Sequence, residues 1–150
     1  MTVERRTLIK GAAASAALVL VGGAPLRADN HNGWQGWRDQ LLAGRELSEG
    51  TITLDLPAVA ENGAQVPLTV QIDSPMTADD HVSAIHIIAT RNPAPQIGTF
   101  RLTPQMTRAE VMTRIRVAEE QEILVLAELS DGRVFQQTAS IIVSVGGCAT

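Results

Sequence analysis

The sequence predicts an all-β fold, an antiparallel β-sandwich that spans residues 29–145 and begins with one short helix. From Thr51 onward, apolar and polar residues alternate with a period of two, which is typical of strands with one buried face. Turn sequences separate these runs at intervals of about ten residues, as they do in β-sandwiches. Aromatic residues make up only 3% of the chain and Tyr is absent, so the core must consist of Ile, Val, Leu and Ala.

The single helix is predicted over residues 30–46. Trp34, Trp37 and Leu41 follow the spacing i, i+3, i+7, and Leu42 lies beside them, which gives one apolar stripe along the helix. Gly44 is a suitable end for the helix, because glycine adopts the left-handed conformation that closes many helices. Such a stripe is typical of packing against a core or a partner rather than of a ligand site.

Seven strands are predicted to follow the helix. Asn62-Gly63 supplies a turn between the first two, since both residues tolerate a positive φ. Pro67 lacks a backbone N–H and therefore indicates that the second strand lies at a sheet edge. Ser130-Asp131-Gly132 predicts a tight turn between the last two. The strands are predicted at residues 51–56, 66–72, 82–90, 97–103, 110–118, 122–129 and 134–145.

One of these strands, residues 110–118, shows the expected alternation most clearly. Its apolar face is predicted to point inward and its arginines outward. The inward residues are Val111, Thr113, Ile115 and Val117, and the outward ones are Arg114 and Arg116. The apolar runs 122–129 and 141–145 fit either the core or an interface.

Residues 1–28 are predicted to form an export signal rather than part of the fold. Arg5 and Arg6 precede an apolar pair and a lysine, which matches a twin-arginine signal. An apolar, Ala-rich run follows that is too short to span a membrane, and Ala28 offers a small residue for cleavage. The order of charged head, apolar middle and polar exit disfavours an amphipathic helix of a cytosolic protein. No Cys lies near the cleavage site, so no lipid anchor is expected and the mature chain is predicted to be periplasmic.

The charge of the mature chain argues against binding to nucleic acids. Removal of residues 1–28 takes Lys+Arg from 12 to 8 and Asp+Glu from 16 to 15, so the net charge changes from −4 to −7. A domain this acidic is poorly suited to a phosphate backbone.

Cys148 is the only cysteine, which excludes an intrachain disulfide and a Cys-x-x-Cys redox pair. A single Cys is unusual in an exported protein, where thiols are normally paired. Gly146 and Gly147 precede it and restrict the backbone little. The sequence therefore predicts a solvated thiol on a short flexible arm, residues 146–150, that reaches roughly 10 Å past the last strand. Such an arm suits a carrier better than a catalytic nucleophile, which needs a rigid setting and an adjacent base.

Other candidate residues are predicted to be structural. His81 and His86 lie five residues apart near one strand, so they should point to opposite faces and form no chelating pair. Met76, Met106 and Met112 are expected to fill gaps in the core. Asp79-Asp80 and the run 119–122 are expected to be solvated turns. The sequence contains no metal-ligand cluster, phosphate-binding glycine loop or hydrolase elbow.

Several short motifs follow one another along the chain in a characteristic order. They are Leu54-Asp55-Leu56-Pro57, Ala60-Glu61-Asn62-Gly63, Val66-Pro67, Ser74-Pro75-Met76-Thr77, Ala84-Ile85-His86-Ile87, Asn92-Pro93-Ala94-Pro95, Ser130-Asp131-Gly132 and Gly146-Gly147-Cys148. No single motif is specific, but their order is, together with a twin-arginine signal and a terminal Gly-Gly-Cys. In this order the chain resembles the SoxY family, the sulfur-carrier subunits of the bacterial thiosulfate-oxidising Sox system.

The resemblance implies an immunoglobulin-like β-sandwich that forms a heterodimer with a SoxZ-like subunit. Cys148 would carry the substrate covalently during thiosulfate oxidation in the periplasm. A haem cytochrome would couple thiosulfate to the thiol, a hydrolase would release sulfate, and a sulfur dehydrogenase would oxidise the remaining sulfur. The chain itself would be no enzyme and would hold no metal, haem or other cofactor.

The C-terminal tip departs from the family pattern. The family typically ends Gly-Gly-Cys-Gly-Gly, whereas this chain ends with Ala149-Thr150 after the cysteine, which stiffens the tip and adds two side chains beside the sulfur. Two other functions remain open from the residues alone. One is a non-catalytic exported interaction module whose Cys148 forms an intermolecular disulfide. The other is a thiol redox sensor, which would need a depressed thiol pKa and a nearby cation.

Overall fold

The computed structural model describes residues 33–145, which fold into one helix and eight strands in two packed sheets. The predicted signal at 1–28 and the predicted arm at 146–150 lie outside the described residues. The elements are α1 Gly33–Leu42, β1 Ile52–Asp55, β2 Val59–Asn62, β3 Val66–Ile72, β4 Val82–Ala89, β5 Gln96–Arg101, β6 Ala109–Ile115, β7 Gln121–Leu129 and β8 Val134–Val145. The prediction of an all-β fold is confirmed. The first and last residues of each of the seven predicted strands lie within three residues of those of an observed strand.

The two sheets differ in size. The smaller has the strand order β1-β3-β6 and the larger has the order β2-β8-β7-β4-β5. Neighbouring strands are antiparallel with one exception, the parallel pair of β2 and β8. Strand β2 was not among the predicted strands. It lies in the connection between β1 and β3, where the chain leaves the smaller sheet, pairs with β8 in the larger one and returns.

Aliphatic side chains from both sheets form the core, as the composition predicts. Val66, Leu68, Val70 and Ile72 of β3 are at most 3% exposed and alternate with exposed or half-buried residues. Strands β4 and β7 lie inside the larger sheet and are buried along most of their length. Each fully buried aliphatic side chain contributes roughly 1.5–3 kcal/mol. Because many such side chains are buried, aliphatic residues stabilise the core with few aromatic ones.

The edge-strand prediction for β3 is wrong. Strand β3 is the central strand of the smaller sheet, between β1 and β6. Pro67 is tolerated there because β1 pairs only with residues Thr69 to Ile72. Beyond the end of β1 that side of β3 is open, and the missing N–H of Pro67 breaks no bond to β1.

Helix α1 covers the outer face of the larger sheet, where its predicted apolar stripe packs on a second cluster of buried residues. Leu42 belongs to this cluster, and Trp34, Trp37 and Leu41 pack against it. The sheet contributes Ile88, Leu124, Leu126 and Val134.

The helix ends earlier than predicted, and its predicted first residues, 30–32, lie outside the described residues. Ala43 and Gly44 both have a positive φ, of 49° and 79°, so the helix ends at Leu42, two residues before the predicted stop at Gly44. Arg45 then folds back and donates hydrogen bonds to the carbonyl oxygens of Leu41 (2.6 Å) and Leu42 (3.0 Å). Among the described residues, no helix is both long and apolar enough to cross a membrane.

Two predicted turns are present. Gly132 has a φ of 90°, and the Leu129 amide donates to the Arg133 carbonyl, which closes the tight turn between β7 and β8. The Asn62-Gly63 turn follows β2, where the side chain of Asn62 accepts a hydrogen bond from the Ala64 amide at 2.8 Å. Gly63 does not adopt the positive φ that its motif allows.

Candidate functional site

The predicted site residues Cys148, Gly146 and Gly147 lie outside the described residues, as do Arg5 and Arg6 of the predicted signal. The structure describes the strand that leads to the cysteine. Strand β8 runs to Val145, and its last four residues, 142–145, are called the β8 terminus below. The geometry of this terminus determines where the C-terminal segment starts.

Strand β2 anchors the β8 terminus. Val59 pairs with Ile142, Ala60 with Val143 and Asn62 with Val145. The Gly63 amide also donates to the Val145 carbonyl at 2.9 Å. The backbone is therefore hydrogen-bonded up to a point three residues before Cys148.

The β8 terminus extends past its other neighbour. Strand β7 begins at Gln121, which pairs with Ile141, so the antiparallel ladder ends one residue before the terminus begins. Within the described residues, 142–145 thus have a strand partner on one side only.

The loop between β6 and β7, residues 116–120, is fixed against this end of the sandwich. The Val117 amide donates to the Gly63 carbonyl at 2.8 Å, so Gly63 bonds to both the loop and Val145. Asn92 holds the loop from the other side. Its side chain accepts from the Ala118 amide (2.9 Å) and donates to the Arg116 carbonyl (2.8 Å).

Gln121 completes this network and corrects one prediction. It is only 4% exposed, and its side chain donates to Asn92 Oδ1 and accepts from the Arg91 amide, both at 2.8 Å. The run 119–122 is therefore not a uniformly solvated turn, although Glu119, Glu120 and Glu122 are exposed. Sequence reasoning noted Asn92 only as part of a motif, and nothing local marks Gln121 as buried.

The surface around the β8 terminus is apolar and acidic. Val59, Ile142 and Val145 are 57%, 50% and 66% exposed. Beside Ile142 a groove of about 490 Å³ lies at the end of the larger sheet where β7 begins, called the β8 groove below. Its lining includes Trp34, Arg91, Glu120, Glu122, Ser140 and Ile142.

The two histidines have separate partners. His81 Nδ1 lies 3.0 Å from the Thr77 carbonyl, and His86 Nδ1 lies 2.9 Å from Thr99 Oγ1. The predicted orientation of the two rings toward opposite faces depends on regular alternation along the strand. A bulge in β4 between Val82 and Ala84 interrupts that alternation. Within residues 33–145 no three His, Cys, Asp or Glu side chains are grouped to hold a metal ion.

The methionine prediction holds for one residue of three. Met76 is 5% exposed and belongs to the core. Met106 and Met112 are 44% and 74% exposed, so they fill no gap. Met112 faces outward because the alternation of β6 buries Val111 and exposes its neighbour.

Comparison with solved structures shows the fold alone, because the sequence identities are low. A variant of the superoxide reductase (neelaredoxin) from Ignicoccus hospitalis is 12% identical with a TM-score of 0.57, over 68% of this chain and 85% of that one. The superoxide reductase from Nanoarchaeum equitans is 5% identical with a TM-score of 0.53, over 64% of this chain and 98% of that one. These likenesses support the all-β architecture.

Comparison with protein families is more informative. No curated protein matches the chain. The family model of the sulfur oxidation protein SoxY matches residues 38–148, from the middle of α1 through the anchored β8 terminus to the cysteine. Since this match covers most of the sequence, the chain belongs to the SoxY family.

Proposed function

We propose that this protein is a covalent carrier of sulfur intermediates in periplasmic thiosulfate oxidation, and that Cys148 is the group that carries them. One observation supports this most directly. The family match extends through Gly146 and Gly147 and ends at Cys148, the only cysteine of the chain. Membership of the SoxY family gives a role in sulfur oxidation, and the proposal assigns the chemistry to this thiol.

The anchored β8 terminus supports a carrier rather than a catalyst. Val145 is held by β2 and Gly63, so the C-terminal segment has a fixed origin. Three residues span at most about 10 Å, which keeps the thiol near this end of the sandwich. We propose that residues 146–150 act as the carrier arm, because Gly146 and Gly147 allow the backbone many conformations.

Loading of the thiol is an oxidation. Thiosulfate and the Cys148 thiol form a new S–S bond and give a cysteine S-thiosulfonate, one proton and two electrons. The electrons pass to a haem cytochrome of the same system. The thiolate form of a cysteine is the nucleophile in such bond formation.

Release of the cargo is a hydrolysis. Water cleaves the bond between the sulfane sulfur and the sulfonate, so that sulfate and two protons are released and a persulfide anion stays on Cys148. A hydrolase catalyses this step, and a sulfur dehydrogenase oxidises the persulfide sulfur. The carrier needs no base of its own, since each partner enzyme supplies the groups for its step.

The remaining assignments follow from the same role. Residues 1–28, with Arg5 and Arg6, direct export to the periplasm by the twin-arginine route and are removed near Ala28. Residues 29–145 form the sandwich and pair with a SoxZ-like subunit. The chain performs no turnover itself.

Mass spectrometry of the intact protein tests the proposal. Protein purified without reductant from its native host should carry sulfur or sulfur-plus-sulfonate adducts that map to Cys148 and vanish on reduction. Cys148→Ser should keep the fold and abolish thiosulfate-dependent electron flow in the reconstituted system. Met112→Ser is the matched control, because it removes an exposed sulfur atom elsewhere and should leave electron flow unchanged.

A clean, unmodified mass would contradict the carrier function. A disulfide to another protein as the only modification would also contradict it, and would favour the interaction module.

A further inference from the structure

We propose that the surface formed by the β8 terminus and the β8 groove is the docking face for the protein that loads Cys148, and that this protein presents basic side chains around a small apolar contact. This inference rests on the proposed function and adds the location and chemistry of the encounter.

Chain length restricts where the loading protein can bind. Cys148 lies three residues after Val145, so its Cα stays within about 10 Å of the last anchored residue. The loading protein must form a bond to the sulfur and remove two electrons from it. Its surface must therefore approach this end of the sandwich.

Exposed apolar side chains concentrate at the same end. Val59 and Ile142 are paired neighbours on β2 and β8 and share the outer face of the sheet. Val145, three residues further on, lies at the end of the strand on the opposite face, the one that Ile141 and Val143 turn to the core. These three are half of the large hydrophobic residues that the described chain exposes. The patch is small, which suits a transient complex better than a permanent interface.

Unpaired acidic side chains surround this patch. Glu120 and Glu122 line the β8 groove, and Glu119 precedes them in the loop fixed by Asn92. Glu61 lies on β2 between two residues that pair with the terminus. None of these four takes part in an ion pair of residues 33–145.

The same surface carries two cations, Arg91 in the groove and Arg116 in the loop. The four glutamates outnumber them, so the net charge of the surface is negative. The complementary partner is basic. Attraction between opposite charges raises the association rate more than it raises the affinity. This suits a carrier, because it must dissociate from the loading protein after each loading.

The face is also rigid, which reduces the entropic cost of docking. Gly63 bonds to both Val145 and Val117, and Asn92 and Gln121 fix the loop that carries Glu119 and Glu120.

A charge reversal tests the proposal with the complete carrier, including its partner subunit. In Glu120→Lys/Glu122→Lys, the rate at which the thiosulfate-oxidising haem protein of the same system loads Cys148 should fall about tenfold or more at low salt. Loading of the unmodified carrier should slow as the salt concentration rises, and the variant should lose this dependence. Ile142→Asp should slow loading at every salt concentration.

The control is Glu46→Lys/Glu49→Lys, which reverses two exposed charges beside Val134, at the opposite end of β8. It should load at the unmodified rate. Alkylation of Cys148 by iodoacetamide should be equally fast in all variants, because a small reagent needs no docking face.

The outcomes separate the two proposals. If the unmodified carrier is not loaded at all, the proposed function fails. If it is loaded and Glu120→Lys/Glu122→Lys loads equally fast, the docking face is wrong. Loss of the partner subunit from the variant on size exclusion would also overturn it, because the surface would then belong to the permanent interface.

Discussion

His86 lies buried beneath the helix layer among charged groups from several elements. Glu128 of β7 approaches its Nε2 to 3.3 Å and is itself bound by Arg45 at 3.0 Å. Arg45 and Arg101 act on His86 as like charges. Burial is the largest effect and lowers the pKa of His86 below 6.5, although Glu128 opposes it. The fold therefore favours the neutral imidazole.

The free energy of unfolding should depend on pH through this residue. Because the folded pKa lies below the unfolded value of about 6.5, the folded state binds the proton less readily. The contribution of neutral His86 to the free energy of unfolding should be fully present above about pH 6.5, where the imidazole is neutral in both the folded and the unfolded state. It should be lost as the pH falls, because the unfolded state then takes up the proton first. Urea denaturation between pH 8 and pH 5 measures this, and His86→Gln should flatten the decline.

His81→Gln provides the matched control for that experiment, since its ring sits on the exposed loop before β4. It should retain the pH dependence of the unmodified protein. A decline that persists undiminished in His86→Gln would assign the effect to other groups.

Asn92 connects two loops through one side chain. Asn92→Ala should lower the free energy of unfolding by about 1–3 kcal/mol, because the Ala118 amide, the Arg116 carbonyl and the Gln121 amide lose their partner. Asn62→Ala removes a single exposed hydrogen bond and should cost less than about 1 kcal/mol. Equal midpoints of urea denaturation for the two variants would contradict this role of Asn92.

At the scale of the elements, α1 contains both tryptophans of the chain. Trp37→Ala should lower stability by about 2 kcal/mol, because a half-buried aromatic ring is removed from the cluster under the helix. Gln35→Ala, on the exposed side of α1, should change it by less than about 0.5 kcal/mol. Thermal unfolding followed by circular dichroism checks both. A Trp37→Ala variant as stable as Gln35→Ala would show that the helix contributes little.

Some elements could be predicted from the sequence and others could not. Strands β3 and β6 alternate regularly, so their faces follow from period alone. Strand β2 has four residues that include Glu61 and Asn62, and its extended form depends on pairing with β8, some 80 residues away in sequence. The early end of α1 depends on the positive φ of Ala43, which its residue type disfavours.

At the scale of the whole molecule, the sequence indicates a candidate group but not the surface at the end of the strand that leads to it. A single cysteine after two glycines identifies the candidate group without a structure. The surface around the β8 terminus depends on Gly63, Asn92 and Gln121, which come from two loops and the start of β7. Such contacts between distant segments leave no periodic signal in the sequence.

The domain should fold independently of its C-terminal segment. Deletion of residues 146–150 should leave the melting temperature within about 2 °C of that of the mature chain, because within residues 33–145 β2 and Gly63 already hold the β8 terminus. Val143→Asp, which places a charge against the partly buried end of this pairing, should lower it clearly. Calorimetry distinguishes these results, and a large loss on deletion would show that the segment contributes to the fold.

Under the proposed function, the anchoring of Val145 would make the encounter between the Cys148 thiol and a partner's active site a local search. A Cα confined to roughly a half-sphere of 10 Å radius has an effective concentration on the order of 1 M, above the millimolar values typical of flexible linkers. A carried group would then meet each docked protein at a concentration that no free sulfur compound needs to reach in solution. If β8 ended a few residues earlier, the longer tether would sample a larger volume, and the effective concentration would fall with tether length.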